Sequence, residues 1–169
     1  MRRAMPLKKI TVLLADDHAM IRQGLCALLE ADGGFAVAGQ ARNGLEAAKM
    51  AQALQPDVIL MDIAMPLLDG LEATRQIIAA NPAARVLILS AHSDDEYIER
   101  MIAVGAAGFL EKHTAAKILP QAIREVAKGN RVFGPGVAQR MARGKKRVGA
   151  VLPKGKGKGK GKGVRVTVV

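Results

Sequence analysis

Several polar residues stand at the ends of short apolar runs, where the strands of a parallel sheet would finish. Asp16 and Asp17 follow the first run, Asp62 the third, Ser90 ends the fourth, and Lys112 comes soon after the fifth. In parallel α/β sheets, ligands bind beyond the carboxyl ends of the strands. We therefore expect three carboxylates, a hydroxyl and an ammonium group to converge on one rim.

The three carboxylates predict a magnesium site. Clustered carboxylates repel one another unless a cation lies between them, and Mg²⁺ is a hard ion that prefers oxygen ligands in octahedral geometry. Asp17 and Asp62 are the expected direct ligands, and Asp16 helps directly or through water. The backbone carbonyl of Ala64 could complete the set.

Mg²⁺ together with Lys112 suits phosphoryl transfer. The equatorial oxygens of a phosphoryl group must be neutralised while a nucleophile attacks in line. The carboxylate of Asp62, ionised at neutral pH, can be that nucleophile, and the product would be an aspartyl phosphate. Ser90 is predicted to donate a hydrogen bond to a phosphoryl oxygen.

The elements that must hold these residues follow from the hydrophobic pattern. Short β-rich apolar runs alternate with longer amphipathic segments, which predicts an α/β fold with a parallel sheet and helices on both faces. The five predicted strands cover residues 10–15, 35–41, 58–61, 86–90 and 108–110. Asn43 is a predicted helix N-cap.

Four motifs occur in order at these strand ends. They are Asp16-Asp17-His18, residues 61–66 followed by Asp69-Gly70, Ser90-Ala91-His92, and residues 105–112. Together they resemble the receiver domain of bacterial response regulators in two-component systems, especially the NarL/FixJ-like branch. The resemblance covers residues 8–138.

This resemblance implies a flavodoxin-like, doubly wound (βα)5 domain with strand order 2-1-3-4-5. It implies Mg²⁺ as cofactor and a sensor histidine kinase or phosphotransfer protein as the partner that phosphorylates Asp62. Ser90 and Phe109 would act as switch residues that change the face formed by helix four, strand five and helix five. Ala64 and His92 would tune hydrolysis of the phosphoryl group. A phosphorylation-dependent homodimer is a further expectation from the family.

Charge separates the predicted receiver domain, residues 8–138, from residues 139–169. The net charge is +11, and the last 31 residues hold 11 Lys and Arg but no acidic residue. The alternating Lys-Gly stretch at 154–163 has high backbone entropy and little apolar surface, so a disordered basic tail is predicted. Such a tail could be a flexible extension, a product of an altered reading frame or of a wrongly assigned gene, or a nonspecific contact for nucleic acid or another polyanion.

Other functions are less well supported by the sequence. Members of the NarL/FixJ-like branch usually carry a helix-turn-helix domain, but nothing after Ala142 resembles one, so sequence-specific DNA binding is not supported. A DNA-associated regulator acting nonspecifically through the basic tail stays an alternative. A haloacid-dehalogenase-like phosphatase needs a second acid two residues after its nucleophile, where this chain has Ala64.

The remaining expectations concern catalysis and location. We expect a phosphoacceptor that at most catalyses its own phosphorylation and dephosphorylation, and not an enzyme with a separate substrate. The turn after the first strand has no glycine-rich phosphate loop, which disfavours a dinucleotide-binding enzyme. A secretory signal and a membrane-spanning run are not predicted, so a cytoplasmic location is expected.

Overall fold

The computed structural model describes residues 7–91, 94–148 and 165–169, except for the side chains of residues 142 and 144–148. The predicted hydrolysis-tuning residue His92 and the Lys-Gly stretch at 154–163 lie outside the described residues.

Strands and helices alternate along the described chain. The strands are β1 (Ile10–Ala15), β2 (Phe35–Ala41), β3 (Val58–Asp62), β4 (Val86–Ser90), β5 (Gly108–Glu111), β6 (Arg131–Phe133) and β7 (Val166–Val168). The helices are α1 (Ala19–Asp32), α2 (Gly44–Leu54), α3 (Gly70–Ala80), α4 (Asp95–Ala103), α5 (Lys112–Ala127) and α6 (Pro135–Val148).

All strand pairings in the sheet are parallel, and the order is β2-β1-β3-β4-β5-β6-β7. The order predicted for the first five strands, 2-1-3-4-5, is confirmed. The predicted number of strands is wrong, because the described residues form a sheet of seven strands and not five. The two additional strands have three residues each, too few to show a periodic hydrophobic pattern.

Residues 139–169, predicted as a disordered basic tail, contain regular structure where they are described. Residues 139–148 belong to α6, and 166–168 form β7 beside β6. Helix α6 is anchored by Val137, which has no exposed surface and packs in the same cluster as Phe109 and Phe133. The sequence predicts at most a short helix at 136–142, and α6 is longer because long charged side chains can stay in water while one apolar stripe packs.

Apolar side chains fill both faces of the sheet. On one face, β-strand residues pack with α2, α3, α4 and α6; on the other, they pack with α1 and α5. β3 and β4 are buried along their whole length, as expected for central strands covered on both faces. Among the described helices, none is both long and apolar enough to cross a membrane.

Two helix starts next to the site are fixed by side-chain caps. Asn43 accepts a hydrogen bond from the backbone N–H of Glu46, as predicted, and Asp69 accepts one from the backbone N–H of Glu72. Each cap satisfies an N–H group that has no partner within its own helix. The Asp69 cap fixes where α3 begins after the loop that follows β3.

Candidate functional site

The register of the central strands brings the predicted polar residues to one rim. Ala15 pairs with Met61, and Asp62 pairs with Leu89. One step further, Ser90 pairs with Glu111. The residues that follow β1 and β5 therefore lie at the same edge of the sheet as Asp62 and Ser90.

Lys112 lies between two buried carboxylates. Its Nζ donates to Asp16 Oδ2 at 2.8 Å and lies 3.2 Å from Asp62 Oδ2. The side chains of Asp16 and Asp62 are 4% and 5% exposed, and that of Lys112 is 20% exposed. One ammonium group thus compensates two carboxylates that have little access to water.

The other carboxylate oxygens of this pair are held by backbone N–H groups. Asp16 Oδ1 accepts from the N–H of His18 at 2.8 Å, and Asp62 Oδ1 accepts from the N–H of Ile63 at 2.8 Å. These bonds fix the orientation of both side chains. Asp17 is more accessible, with 32% of its side chain exposed.

Burial and charge act in opposite directions on the site's titratable groups. Burial raises the pKa of Asp62, and the nearby charge of Lys112 opposes that rise. Burial lowers the pKa of Lys112, but its hydrogen bond to Asp16 and the charge of Asp62 outweigh this effect and leave the pKa raised. The lysine therefore stays charged at neutral pH, and a further cation would favour the ionised form of Asp62.

His18 is a site residue that the sequence interpretation missed. We expected an ordinary loop histidine, but its Nδ1 lies 3.0 Å from Asp16 Oδ1 and 2.9 Å from Asp17 Oδ1. Ligand atoms of Asp16, Asp17, His18 and Asp62 all lie within 4.8 Å of one another, so these residues could hold a metal ion. The signal was its position directly after the two acids at the end of β1.

A cavity of about 830 Å³ opens at this rim. Asp62, Ala64, Ser90 and Lys112 line it, together with residues of α4. Ser90 is buried, whereas Ala64 is exposed at the mouth. The predicted nucleophile, hydroxyl and ammonium groups therefore share one solvent-accessible space.

The backbone of α3 touches the end of β3. Gly70 N–H donates to the carbonyl of Ile63 at 2.8 Å, and a Cβ placed on Gly70 would lie only 1.9 Å from the carbonyl oxygen of Asp62. Only glycine permits this approach. Within the intervening loop, Leu67 has a left-handed backbone (φ 68°), and its side chain is largely exposed.

Phe109 is fully buried in β5, in the cluster that contains Ile98 and Met101 of α4. β5 is covered at its outer side by β6. The predicted output face of α4, β5 and α5 is consequently bordered by the C-terminal elements, and Arg140 of α6 lies 3.7 Å from Asp95 at the start of α4.

Comparison with known families decides the fold family. The sequence pattern of the family described as response regulator receiver domain matches residues 12–124. The chain belongs to this family. The receiver is a signalling phosphoacceptor domain of two-component systems, as the resemblance predicted.

Relatives and solved structures agree with this receiver assignment. The response regulator GacA of Pseudomonas aeruginosa is 39% identical over 133 residues, covering 79% of this chain and 62% of GacA. A two-component response regulator of the LuxR family from Aurantimonas sp. has a TM-score of 0.78 at 32% identity, covering 82% of this chain and 99% of that chain. The receiver domain of the response regulator NarL from Mycobacterium tuberculosis has a TM-score of 0.70 at 33% identity, with 73% and 99% covered. The chain thus spans less than two thirds of the length of GacA.

Proposed function

We propose that Asp62 of this receiver accepts a phosphoryl group from a sensor histidine kinase or a phosphotransfer protein. The observation that carries the proposal is the position of Asp62, nearly buried at the cavity with the Lys112 ammonium 3.2 Å away. A carboxylate held beside a fixed cation can attack phosphorus while the lysine neutralises charge on the phosphoryl oxygens.

Magnesium is the metal we propose for the acidic cluster. The donor set fits, because Asp17 and Asp62 offer carboxylate oxygens close together and Asp16 can contribute directly or through water. The backbone carbonyl of Ala64 is the proposed additional ligand. When bound, Mg²⁺ would neutralise charge on the phosphoryl group, while Lys112 keeps Asp16 and Asp62 oriented.

Ser90 and Phe109 are the proposed switch residues. Ser90 ends β4 at the cavity, and Phe109 lies on the neighbouring strand with its ring in the core. A hydroxyl that turns toward a phosphoryl oxygen would change the packing near Phe109 and thus the face formed by α4, β5 and α5. Ala64 and His92 are proposed to influence how long the phosphoryl group lasts.

Three further expectations belong to this proposal. The receiver would catalyse only its own phosphorylation and dephosphorylation, would form a homodimer when phosphorylated, and would act in the cytoplasm. The phosphatase alternative is not favoured, because Ala64 occupies the place of the required second acid and is exposed at the cavity mouth.

The proposal is tested by intact-mass analysis after incubation with acetyl phosphate and Mg²⁺. The wild-type chain should gain one phosphoryl group, and Asp62→Asn should gain none. Asp57→Asn is the matched control, because Asp57 precedes β3 and its carboxylate bonds to Thr11, away from the rim. An unmodified wild-type chain, or phosphorylation that persists in Asp62→Asn, would contradict the proposal.

A further inference from the structure

His18 is placed against the acidic cluster by specific contacts. Its side chain is 62% exposed, so burial does not fix its position. It is the N-cap residue of α1, but its side chain makes no capping hydrogen bond. Instead, Nδ1 lies 2.9 Å from Asp17 Oδ1 and 3.0 Å from Asp16 Oδ1. The imidazole is therefore oriented by the two acids.

One metal ion could use this imidazole together with the carboxylates. Zinc is usually tetrahedral, and its nitrogen and oxygen bonds of about 2.0–2.2 Å place two ligands of one ion about 3.3–3.6 Å apart. The candidate ligand atoms of the four residues lie within 4.8 Å of one another. Atoms at the wide end of this range would have to move about 1 Å closer, and Asp17 and His18 are exposed enough to make such a shift.

The imidazole changes which metals the site favours. Magnesium prefers oxygen ligands, so a nitrogen ligand adds little to its affinity, whereas imidazole is a good ligand for zinc, nickel and copper. Lys112 already holds one oxygen of Asp16 and lies against one of Asp62, so Asp17 and His18 are the more available ligands for an incoming ion.

We propose that His18 is a nitrogen ligand that lets the acidic rim bind divalent transition metals such as Zn²⁺ in addition to Mg²⁺. The inference rests on the proposed metal site of the receiver and adds the class of ion that the site accepts. It predicts that Zn²⁺ and Mg²⁺ compete for one site, in which Asp17 serves both ions and His18 serves chiefly Zn²⁺.

Isothermal titration of the full chain with Zn²⁺ and with Mg²⁺ at neutral pH tests this inference. His18→Ala should weaken Zn²⁺ binding about 10- to 100-fold, the range found when groups supporting a metal site are removed. The Mg²⁺ affinity should change by less than about threefold, because Mg²⁺ is bound through oxygen. Asp17→Asn should weaken the binding of both ions.

His113→Ala is the matched control. His113 is also an exposed histidine near the rim, but its Nε2 pairs with Glu111 and it is not part of the cluster. Its removal should leave both affinities at the wild-type values. In wild-type protein, Zn²⁺ should shift the imidazole ¹⁵N resonances of His18 and leave those of His113 in place.

The outcomes separate this inference from the proposed function. An unchanged Zn²⁺ affinity in His18→Ala, or equal losses for both ions, would overturn the role of His18 while leaving the magnesium site standing. A wild-type chain that does not bind Mg²⁺ would count against the proposed function itself. Zinc binding that is lost equally in His113→Ala would show that the zinc site lies elsewhere.

Discussion

Lys112 determines the charge balance of the acidic rim. Lys112→Met would leave Asp16 and Asp62, both nearly buried, without their common ammonium partner. Removing one partner of a buried ion pair costs about 3–5 kcal/mol of stability. Because the Lys112 side chain is 20% exposed, we expect a smaller loss of about 2–4 kcal/mol in the free energy of unfolding. Urea denaturation at neutral pH measures it.

Magnesium should restore part of the stability lost in Lys112→Met, because a dication can take over compensation of the carboxylates. Lys117→Met is the control, since Lys117 is exposed on the same helix. A Lys112→Met chain as stable as this control, with or without Mg²⁺, would show that the ammonium does not compensate the acids.

Asp57 gives the domain a pH-dependent contribution that is separate from the rim. Asp57 Oδ2 accepts from the backbone N–H and the Oγ1 of Thr11, at 2.8 and 2.9 Å. The backbone hydrogen bond is the main cause that lowers the pKa of Asp57. A carboxyl group with a lowered folded-state pKa stabilises the fold above its unfolded pKa of about 3.9, and that stabilisation is lost as the pH falls through the folded pKa.

Asp57→Asn should therefore lower the free energy of unfolding by about 1 kcal/mol at neutral pH, the usual contribution of such a hydrogen bond. The difference from wild type should shrink below about pH 4, where the wild-type carboxyl becomes protonated. Denaturation curves over this pH range measure both effects. A difference that grows toward acid pH would contradict the proposed cause.

At the scale of elements, the junction between β3 and α3 depends on a residue without a side chain. Gly70→Ala would bring a Cβ to 1.9 Å from the Asp62 carbonyl oxygen, which is backbone and cannot move aside cheaply. We expect a loss of stability of about 1–3 kcal/mol or more, as for other overpacked sites. Thermal and chemical denaturation measure it.

Gly24→Ala is the control for Gly70→Ala. Gly24 is exposed in α1, and nothing lies within 4 Å of the position of its Cβ. In a helix, alanine is favoured over glycine by about 0.8–1.0 kcal/mol, so this variant should gain stability. Equal effects at the two glycines would mean that helix propensity, and not the contact with β3, decides the result.

The sequence predicted the central elements well and the C-terminal ones poorly. The predicted bounds of β1, β2 and β4 are confirmed. β1 and β4 are apolar runs bordered by polar residues, a pattern that marks buried strands clearly. β6 has only three residues, and its burial depends on pairing with β5. That partnership comes from tertiary structure and leaves no periodic pattern.

The same distinction applies to the site. Strand ends and residue types were enough to predict that Asp16, Asp62 and Lys112 meet. The position of His18 directly after two acids was the available signal, but its contact with them depends on the direction of one side chain, which the spacing of residues does not encode. Whether Ser90, Phe109, Ala64 and His92 have their proposed roles stays a prediction.

At the scale of the whole molecule, the C-terminal elements bear on how the receiver assembles. A homodimer is predicted for the phosphorylated receiver. The face of α4, β5 and α5, which is proposed to change on phosphorylation, is bordered by β6 and α6 through strand pairing and the contact of Arg140 with Asp95. Sedimentation velocity with Mg²⁺ and beryllofluoride, which mimics the phosphoryl group, should show a shift from monomer to dimer. Asp62→Asn should stay monomeric under the same conditions.

If beryllofluoride does not change the sedimentation coefficient, the dimer prediction is contradicted, but the proposed phosphorylation of Asp62 is not. Dimers of equal stability in Asp62→Asn would indicate an association independent of the acceptor. The two results therefore separate assembly from chemistry.

The close contact between Gly70 and the end of β3 limits where the domain can deform. The backbone of Gly70 lies in direct contact with the backbone at the end of β3, so neither can shift toward the other without a clash. The end of β3 and the first turn of α3 must therefore move as one rigid unit. Any shape change that starts at Asp62 is consequently directed to the opposite flank of the rim. On that flank, α4 packs through the side chains of Ile98 and Met101, in the cluster that also contains Ile88 of β4.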